Sequence, residues 1–254
     1  MFAKGIIWFH ENKNSGMYWS NDIDLLIFPI IFISIAIPLT ILRFLASNPN
    51  NKILHSLRVE TNEKFIQYSR DNLPGLFKKD IILNVLLITL VNISGICSEY
   101  KHHNTSTNLN MYIQAMLLLA MFDAGTYWGH RIFHDPRYYK VHKKHHEHRN
   151  TVALTLVYID MADFFVNNVP LLILPPLLYI IGNKMIYEVW ISGFGWCFLQ
   201  GWIIHCDLYI ISTRYSLGLF YGDTVISHSL HHSKNIGHYS FVSPQIWDWI
   251  CNTQ

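Results

Sequence analysis

The chain has 254 residues, 51% of them hydrophobic and only 14% charged, with a formal net charge of +2. Charged residues make up about a quarter of an ordinary soluble domain, so this composition excludes a solvated surface over most of the chain, and the near-neutral charge gives no support for nucleic-acid binding. Four cysteines (Cys97, Cys197, Cys206, Cys251) form no CxxC pair, which excludes both a zinc ribbon and a disulfide framework.

In chain order, residues 1–20 lack an apolar run leading to a small-residue cleavage site, so no removable signal peptide is expected. Residues 25–42 carry no charge and are long enough for a spanning helix, and residues 81–98 make a second such run. A third, 109–128, is apolar apart from Asn110, Gln114 and Asp123. A fourth, 164–183, contains Pro170, Pro175 and Pro176, which predict a kinked or broken helix. The fifth, 185–206, contains Glu188 and finishes beside His205. Between the first two runs, residues 44–79 are polar and basic and read as an interfacial helix or loop. Residues 99–108 read as a short outer loop, and Trp8, Trp19, Trp128 and Trp202 fall near span ends, where interfacial aromatics are found.

Lys plus Arg number two before the first run, seven before the second, one before the third and six in residues 129–150. Low and high alternate, as the positive-inside rule expects of five spans with an outer N-terminus. The expected fold is therefore all-α: one polytopic membrane domain over residues 1–254, with segments 129–150 and 207–254 together on the cytosolic face.

The chemistry is carried by histidines. HRIFH places His130 and His134 four apart, and HKKHH places His142, His145 and His146 at i, i+3 and i+4. Both spacings align imidazoles on one helix face. Asp135-Pro136 between them reads as a helix N-cap followed by a first-turn proline, so two helices meet at a corner. HSLHH repeats the second spacing at His228, His231 and His232, and His205 at the end of the fifth run is a ninth candidate. Imidazole suits iron, zinc, copper and nickel, and this many donors exceed the needs of one tetrahedral zinc. Two metals of higher coordination, coupled through shared ligands, are expected. Asp123, Tyr127, His130 and His134 make one stripe at i, i+4, i+7 and i+11, which suits Asp123 to accept the second ring N–H of a ligand histidine. His148 and His238 are weaker candidates.

HRIFH, HKKHH and HSLHH, separated by apolar runs, resemble the HxxxH, HxxHH and HxxHH motifs of the fatty acid hydroxylase/sterol desaturase superfamily. The likeness runs from about Asp123 to the C-terminus. DAGTYWGHRIFH resembles the family lead-in, and DFFVNNVPLLILPP is similar to the segment after the second motif in C-5 sterol desaturases. HHSKNIGHYSFVSPQIWDW resembles the tail of 4-methylsterol oxidases, with His238 where those enzymes carry asparagine.

The resemblance implies a membrane-bound di-iron oxygenase that uses O2 and two electrons to hydroxylate or desaturate a sterol or fatty acyl chain. It implies metal ligation by His130, His134, His142, His145, His146, His228, His231 and His232, with His205 as a further ligand. Asp123, Tyr127 and Asp207 become candidate supporting or gating groups. The chain has no haem-binding segment like that of cytochrome b5, so electrons are expected from a separate cytochrome b5 or reductase. The family also implies the endoplasmic reticulum. The alternative is a histidine-rich metal transporter or a metal-binding protein without oxidase activity. A transporter predicts ligands in the middle of spans, whereas these motifs lie at span ends.

Overall fold

The computed structural model describes residues 32–59, 61–72, 98–99, 108–183, 185–208, 224–241 and 245–254. A π-helical turn, Phe32–Ala36, leads into α1 (Ile37–Ala46), followed by the single turn α2 (Lys52–His55). The centre is built from α3 (Asn108–Phe133), the one-turn α4 (Tyr139–His142), α5 (Met161–Ile180) and α6 (Tyr187–Ile204). α7 (Thr224–Lys234) and the short α8 (Ile246–Ile250) complete it. A two-residue parallel pair joins β1 (Ser98–Glu99) to β2 (Met185–Ile186). The described residues are thus mostly helical, as the composition predicts.

α3 and α5 pack most closely, and the reason lies in two glycines. Gly125 and Gly129 are one turn apart on α3. A Cβ on Gly125 would lie 2.2 Å from Pro170 Cγ, and one on Gly129 would lie 3.0 Å from Val166 Cγ1. Small residues at this spacing let two helix backbones approach. Of the expected kink or break, the break does not occur: α5 continues as one helix through all three of its prolines. Pro170 instead fills the notch that Gly125 leaves.

The core forms where α3, α5 and α6 meet. Trp190, Phe194, Phe198 and Trp202 recur every fourth residue along α6 and are buried against Leu118 and Phe122 of α3 and Leu171, Leu174 and Leu178 of α5. Trp202 is fully buried, packed edge-on to Phe198, so it is a core residue and not the interfacial aromatic expected from its place near a span end.

The expected spans meet the structure unevenly. Among the described residues only Met161–Ile180 is both long enough and apolar enough to cross a membrane. α3, at 26 residues, extends roughly 39 Å at 1.5 Å per residue, but Asn110, Gln114, Asp123, His130 and Arg131 dilute its apolar character. The first run is described only from Phe32, and its helix continues to Ala46. Residues 81–97 and nearly all of the loop 99–108 lie outside the described residues. The fourth helix begins at Met161 and ends at Ile180, and the fifth begins only after β2. The linker is not merely interfacial. Residues 63–72 are helical, with Ile66 and Ser69 buried, and Ser69 Oγ donates to the Asn150 carbonyl at 2.7 Å, beneath the histidine segment.

Candidate metal centre

His130 and His134 occupy the last turn of α3 and the residue after it, and the chain then turns at Asp135. Asp135 Oδ1 accepts the Arg137 backbone N–H at 2.9 Å and turns the chain there, but α4 starts only at Tyr139 with Tyr138 at its cap, so Asp135 is not the predicted helix N-cap. The second segment is not one continuous helix. His142 ends α4, and His145 and His146 lie in a 3-10 turn, His145–Glu147. HSLHH does fall within one regular helix, α7. His205 caps the C-terminus of α6.

All nine predicted histidines converge, in two sets. One comprises His130, His134, His142, His146 and His231, and the other His145, His205, His228 and His232; within each set the candidate ligand atoms lie within 4.8 Å of one another. No histidine belongs to both sets, so the expectation of shared ligands is corrected. The division cuts through both HxxHH motifs. In each HxxHH motif the i and i+4 members stay together and the i+3 member crosses over. His142 and His146 therefore join His231, while His228 and His232 join His145. In α7 residues i and i+4 are stacked on one face and i+3 is offset to its side, whereas His142, His145 and His146 are parted by the change from α4 to the 3-10 turn. The motifs thus interlock, each contributing to both sets.

Ring orientation is fixed from outside the cluster. His130 Nδ1 donates to the Tyr239 carbonyl (3.0 Å), His231 Nδ1 to the Gly237 carbonyl (2.6 Å) and His205 Nδ1 to the Gly201 carbonyl (2.7 Å). His142 Nδ1 is 2.6 Å from Asp163 Oδ2, and both side chains are buried. A carbonyl or carboxylate only accepts, so in these four rings the proton is on Nδ1 and Nε2 presents a lone pair.

Inside the sets Nε2 faces Nε2. The separations are 3.1 Å for His134–His146 and His146–His231, 3.3 Å for His145–His205, 3.0 Å for His205–His228 and 3.1 Å for His228–His232. Metal–nitrogen bonds of about 2.0–2.1 Å put neighbouring donors roughly 3.0–3.4 Å apart around one ion. The Nε2 atoms of His130 and His142 are buried with no hydrogen-bond partner. A ring proton can relieve one such contact at a time, whereas a cation at the centre relieves all of them. Burial, followed by neighbouring imidazoles, pushes His142, His145, His228, His231 and His232 well below the usual histidine range, and His146 down to about 3. These rings are neutral near pH 7, the form that binds metal. The donor set fits two transition-metal ions, and five imidazoles in one set exceed the four of a tetrahedral zinc site.

The three non-histidine candidates are placed differently from the sequence expectation. Asp123 lies on α3, where its carboxylate accepts from Trp247 and not from a ligand histidine. The partner role expected of it is filled by Asp163 at the start of α5, which the sequence reading missed. The available signal was a carboxylate opening the next apolar run after the second motif. Tyr127 is fully buried, and its hydroxyl meets Thr253 Oγ1 at 3.0 Å and Arg131 at 3.1 Å, away from the imidazoles.

Asp207, two residues beyond His205, accepts from Arg43 Nη2 at 2.7 Å, from Asn150 Nδ2 at 2.8 Å and from Ser229 Oγ. It therefore ties together the three segments that carry His205, the HKKHH motif and the HSLHH motif. Arg43 and Asp207 are both buried. Asp207→Ala is expected to cost about 3–5 kcal/mol, because it leaves a buried guanidinium uncompensated. Denaturant or thermal unfolding of the purified variant checks this, and an unchanged midpoint contradicts it. His148 joins neither set and meets Ser69 Oγ at 3.3 Å. His238 also stays out, with a left-handed backbone at φ 52°.

Among the described residues, an apolar cavity and a wider opening reach the cluster. The cavity, of about 70 Å³, is lined by Phe122, Leu156, Phe164, Phe198 and Phe241 together with His130 and His142 of one set and His145 and His228 of the other. Gly201 leaves room for two of these lining side chains, since a Cβ there would lie 2.7 Å from Leu156 Cδ2 and 2.8 Å from Phe241 Cζ. The wider opening, of about 460 Å³, has His146 in its lining, with Lys64, Lys143 and Arg149 around it.

Comparison with known proteins agrees with this picture. The family model described as fatty acid hydroxylase matches residues 115–253, more than half of the chain and every histidine of both sets. The chain is also similar to the fatty acid hydroxylase ahd1 of Mycosarcoma maydis, 34% identical over 94 residues, which are 36% of this chain and 24% of that protein. No solved structure matches.

Proposed function

The chain belongs to the fatty acid hydroxylase family, and on that premise we propose that it is a membrane-bound di-iron oxygenase that hydroxylates or desaturates a lipid. The observation that carries this reading is the apolar cavity against both histidine sets: two imidazoles from each line the same space. A methylene held there faces both metal positions at once. A metal transporter has no need for such a cavity.

When bound, the iron ions supply the activation of O2, with two electrons, that breaking an unactivated C–H bond requires. The protein's part is orientation and exclusion of water. Asp163 and the carbonyls of Gly201, Gly237 and Tyr239 hold four rings with Nε2 inward. The phenylalanines of the cavity keep the reacting carbon in a dry, apolar surround. Oxidoreductase activity follows from the family. The similarity to a Mycosarcoma maydis protein named as a fatty acid hydroxylase favours a fatty acyl chain over a sterol.

Electrons enter, on this proposal, from a separate cytochrome b5 or reductase at the wide opening, where Lys64, Lys143 and Arg149 outnumber Glu147 and suit an acidic partner, and where His146 forms part of the wall. A membrane setting is supported by the family, by the apolar helix Met161–Ile180 and by the exposed rows Leu109, Tyr112, Met116 on α3 and Val166, Val169, Ile173 on α5. Five spans, a cytosolic active face and residence in the endoplasmic reticulum complete the proposal.

The test is to express the chain, and in parallel its His228→Ala variant, in cells that lack it and to compare total lipid extracts. The expected result is a lipid carrying one added oxygen or one new double bond in the wild-type extract only. Identical lipid profiles would overturn the reading.

A further inference from the structure

We infer that Asp248 is a positioning residue for the five-histidine set alone, acting through the backbone carbonyls of Gly237 and Tyr239. The inference rests on the metal-centre reading above. Both carbonyls serve the same set. Tyr239 O accepts from His130 Nδ1 and Gly237 O from His231 Nδ1. Neither His130 nor His231 belongs to the four-histidine set.

The loop that presents these carbonyls does not hold its shape by regular hydrogen bonding. Gly237 and the following His238 both have left-handed backbones, each with φ 52°. A non-glycine residue pays for that conformation and keeps it only when its surroundings fix it. A Cβ at Gly237 would lie 2.6 Å from the Thr253 carbonyl, so the loop is also pressed against the C-terminal segment.

The His238 N–H, in the same peptide as the Gly237 carbonyl, donates to the Thr253 carbonyl at 2.6 Å, and Asp248 holds both Thr253 and the next two N–H groups of the loop. Asp248 is fully buried in the short α8. Its Oδ1 accepts the Tyr239 N–H at 2.9 Å and its Oδ2 the Ser240 N–H at 2.8 Å. Thr253 Oγ1 donates to Oδ1 at 2.6 Å, and the Asp248 N–H returns a bond to Ser240 Oγ at 3.3 Å. Three donors converge on one carboxylate. Since Thr253 gives its proton to Asp248, Tyr127 must be the donor in its 3.0 Å contact with Thr253. Trp247, next to Asp248, stacks on Tyr127 and donates to Asp123. Asp123 and Tyr127 therefore belong to the same support, anchoring α8 to α3.

Asp248→Asn keeps the side chain's shape but turns one acceptor into a donor that faces an N–H or O–H. The Tyr239 and Gly237 carbonyls then lose their fixed positions, and His130 and His231 lose their orientation. Outer partners of metal histidines are worth about 10–100-fold in affinity.

The test uses the full chain, purified in detergent, stripped by a chelator and titrated with Co²⁺ while absorption is recorded. Two backgrounds isolate the sets: His228→Ala leaves the five-histidine set intact, and His134→Ala leaves the four-histidine set intact. Adding Asp248→Asn is expected to weaken cobalt binding about tenfold or more in the first background and to leave affinity and spectrum unchanged in the second. Thr253→Val, which removes a single donor to Asp248, is expected to give a smaller loss in the same background only. Equal weakening of both sets, or of neither, overturns the inference. A wild-type chain that takes up no cobalt overturns the metal-centre reading and the inference with it, whereas normal wild-type uptake with an unselective Asp248→Asn defeats the inference alone.

Discussion

Replacing His228 with alanine is expected to abolish lipid oxidation, reducing it by about a hundredfold or more, because even the outer partners of metal histidines are worth about 10–100-fold. His228 is one of the two inner donors of the four-histidine set: its Nε2 lies 3.0 Å from that of His205 and 3.1 Å from that of His232. Without it three donors remain at that position. The five-histidine set keeps every member, so the metal content should fall by half and not to zero. The measurement is product formation in lipid extracts together with metal per chain. Full activity in the variant, or loss of both metals, would contradict the two-set division.

Asp163→Ala is the second large effect. Asp163 is fully buried, and its Oδ2 accepts His142 Nδ1–H at 2.6 Å while Oδ1 accepts Asn167 Nδ2 at 2.6 Å. Removing the carboxylate frees the His142 ring to rotate and lets its proton move to Nε2, where it blocks ligation. Affinity at the five-histidine set should drop about 10–100-fold, read as metal retained during dialysis against a graded chelator. Asp123→Asn is the comparison, since that carboxylate meets Trp247 and no ligand. The expected order is a large loss for Asp163→Ala and a small one for Asp123→Asn. The reverse order would restore the assignment that sequence spacing suggests.

The contrast between these two aspartates shows what the chain discloses before it folds. Eight of the nine donors were legible because i+3 and i+4 spacing places imidazoles on one helix face, and because one such spacing occurs twice; the ninth, His205, was marked only by its place at the end of an apolar run. Asp123 was the natural partner on the same logic, since it shares a helical stripe with His130 and His134. That stripe is real, but its upper part faces the C-terminal segment, where Trp247 and Thr253 take up Asp123 and Tyr127. The true partner, Asp163, reaches His142 only through tertiary packing of α5 on α3, which depends on the clearance at Gly125 and Gly129.

The crossover of His145 and His231 between the sets was equally hidden. It depends on the relative rotation of α7 and the 3-10 turn, which no local spacing encodes. Three of the four groups that fix the rings are backbone carbonyls, and every residue has one, so their role leaves no mark in composition. Trp202 failed for a related reason: position near a span end suggests an interface, but the four-residue aromatic period along α6 turns it into the core.

The metal content of the native chain is the most direct measure of the two histidine sets. Purified without chelator and analysed by mass spectrometry for all first-row metals, the protein is expected to carry about two ions per chain, predominantly iron, one for each set. A chain that holds one ion or none, with both histidine sets intact, would contradict the two-metal reading.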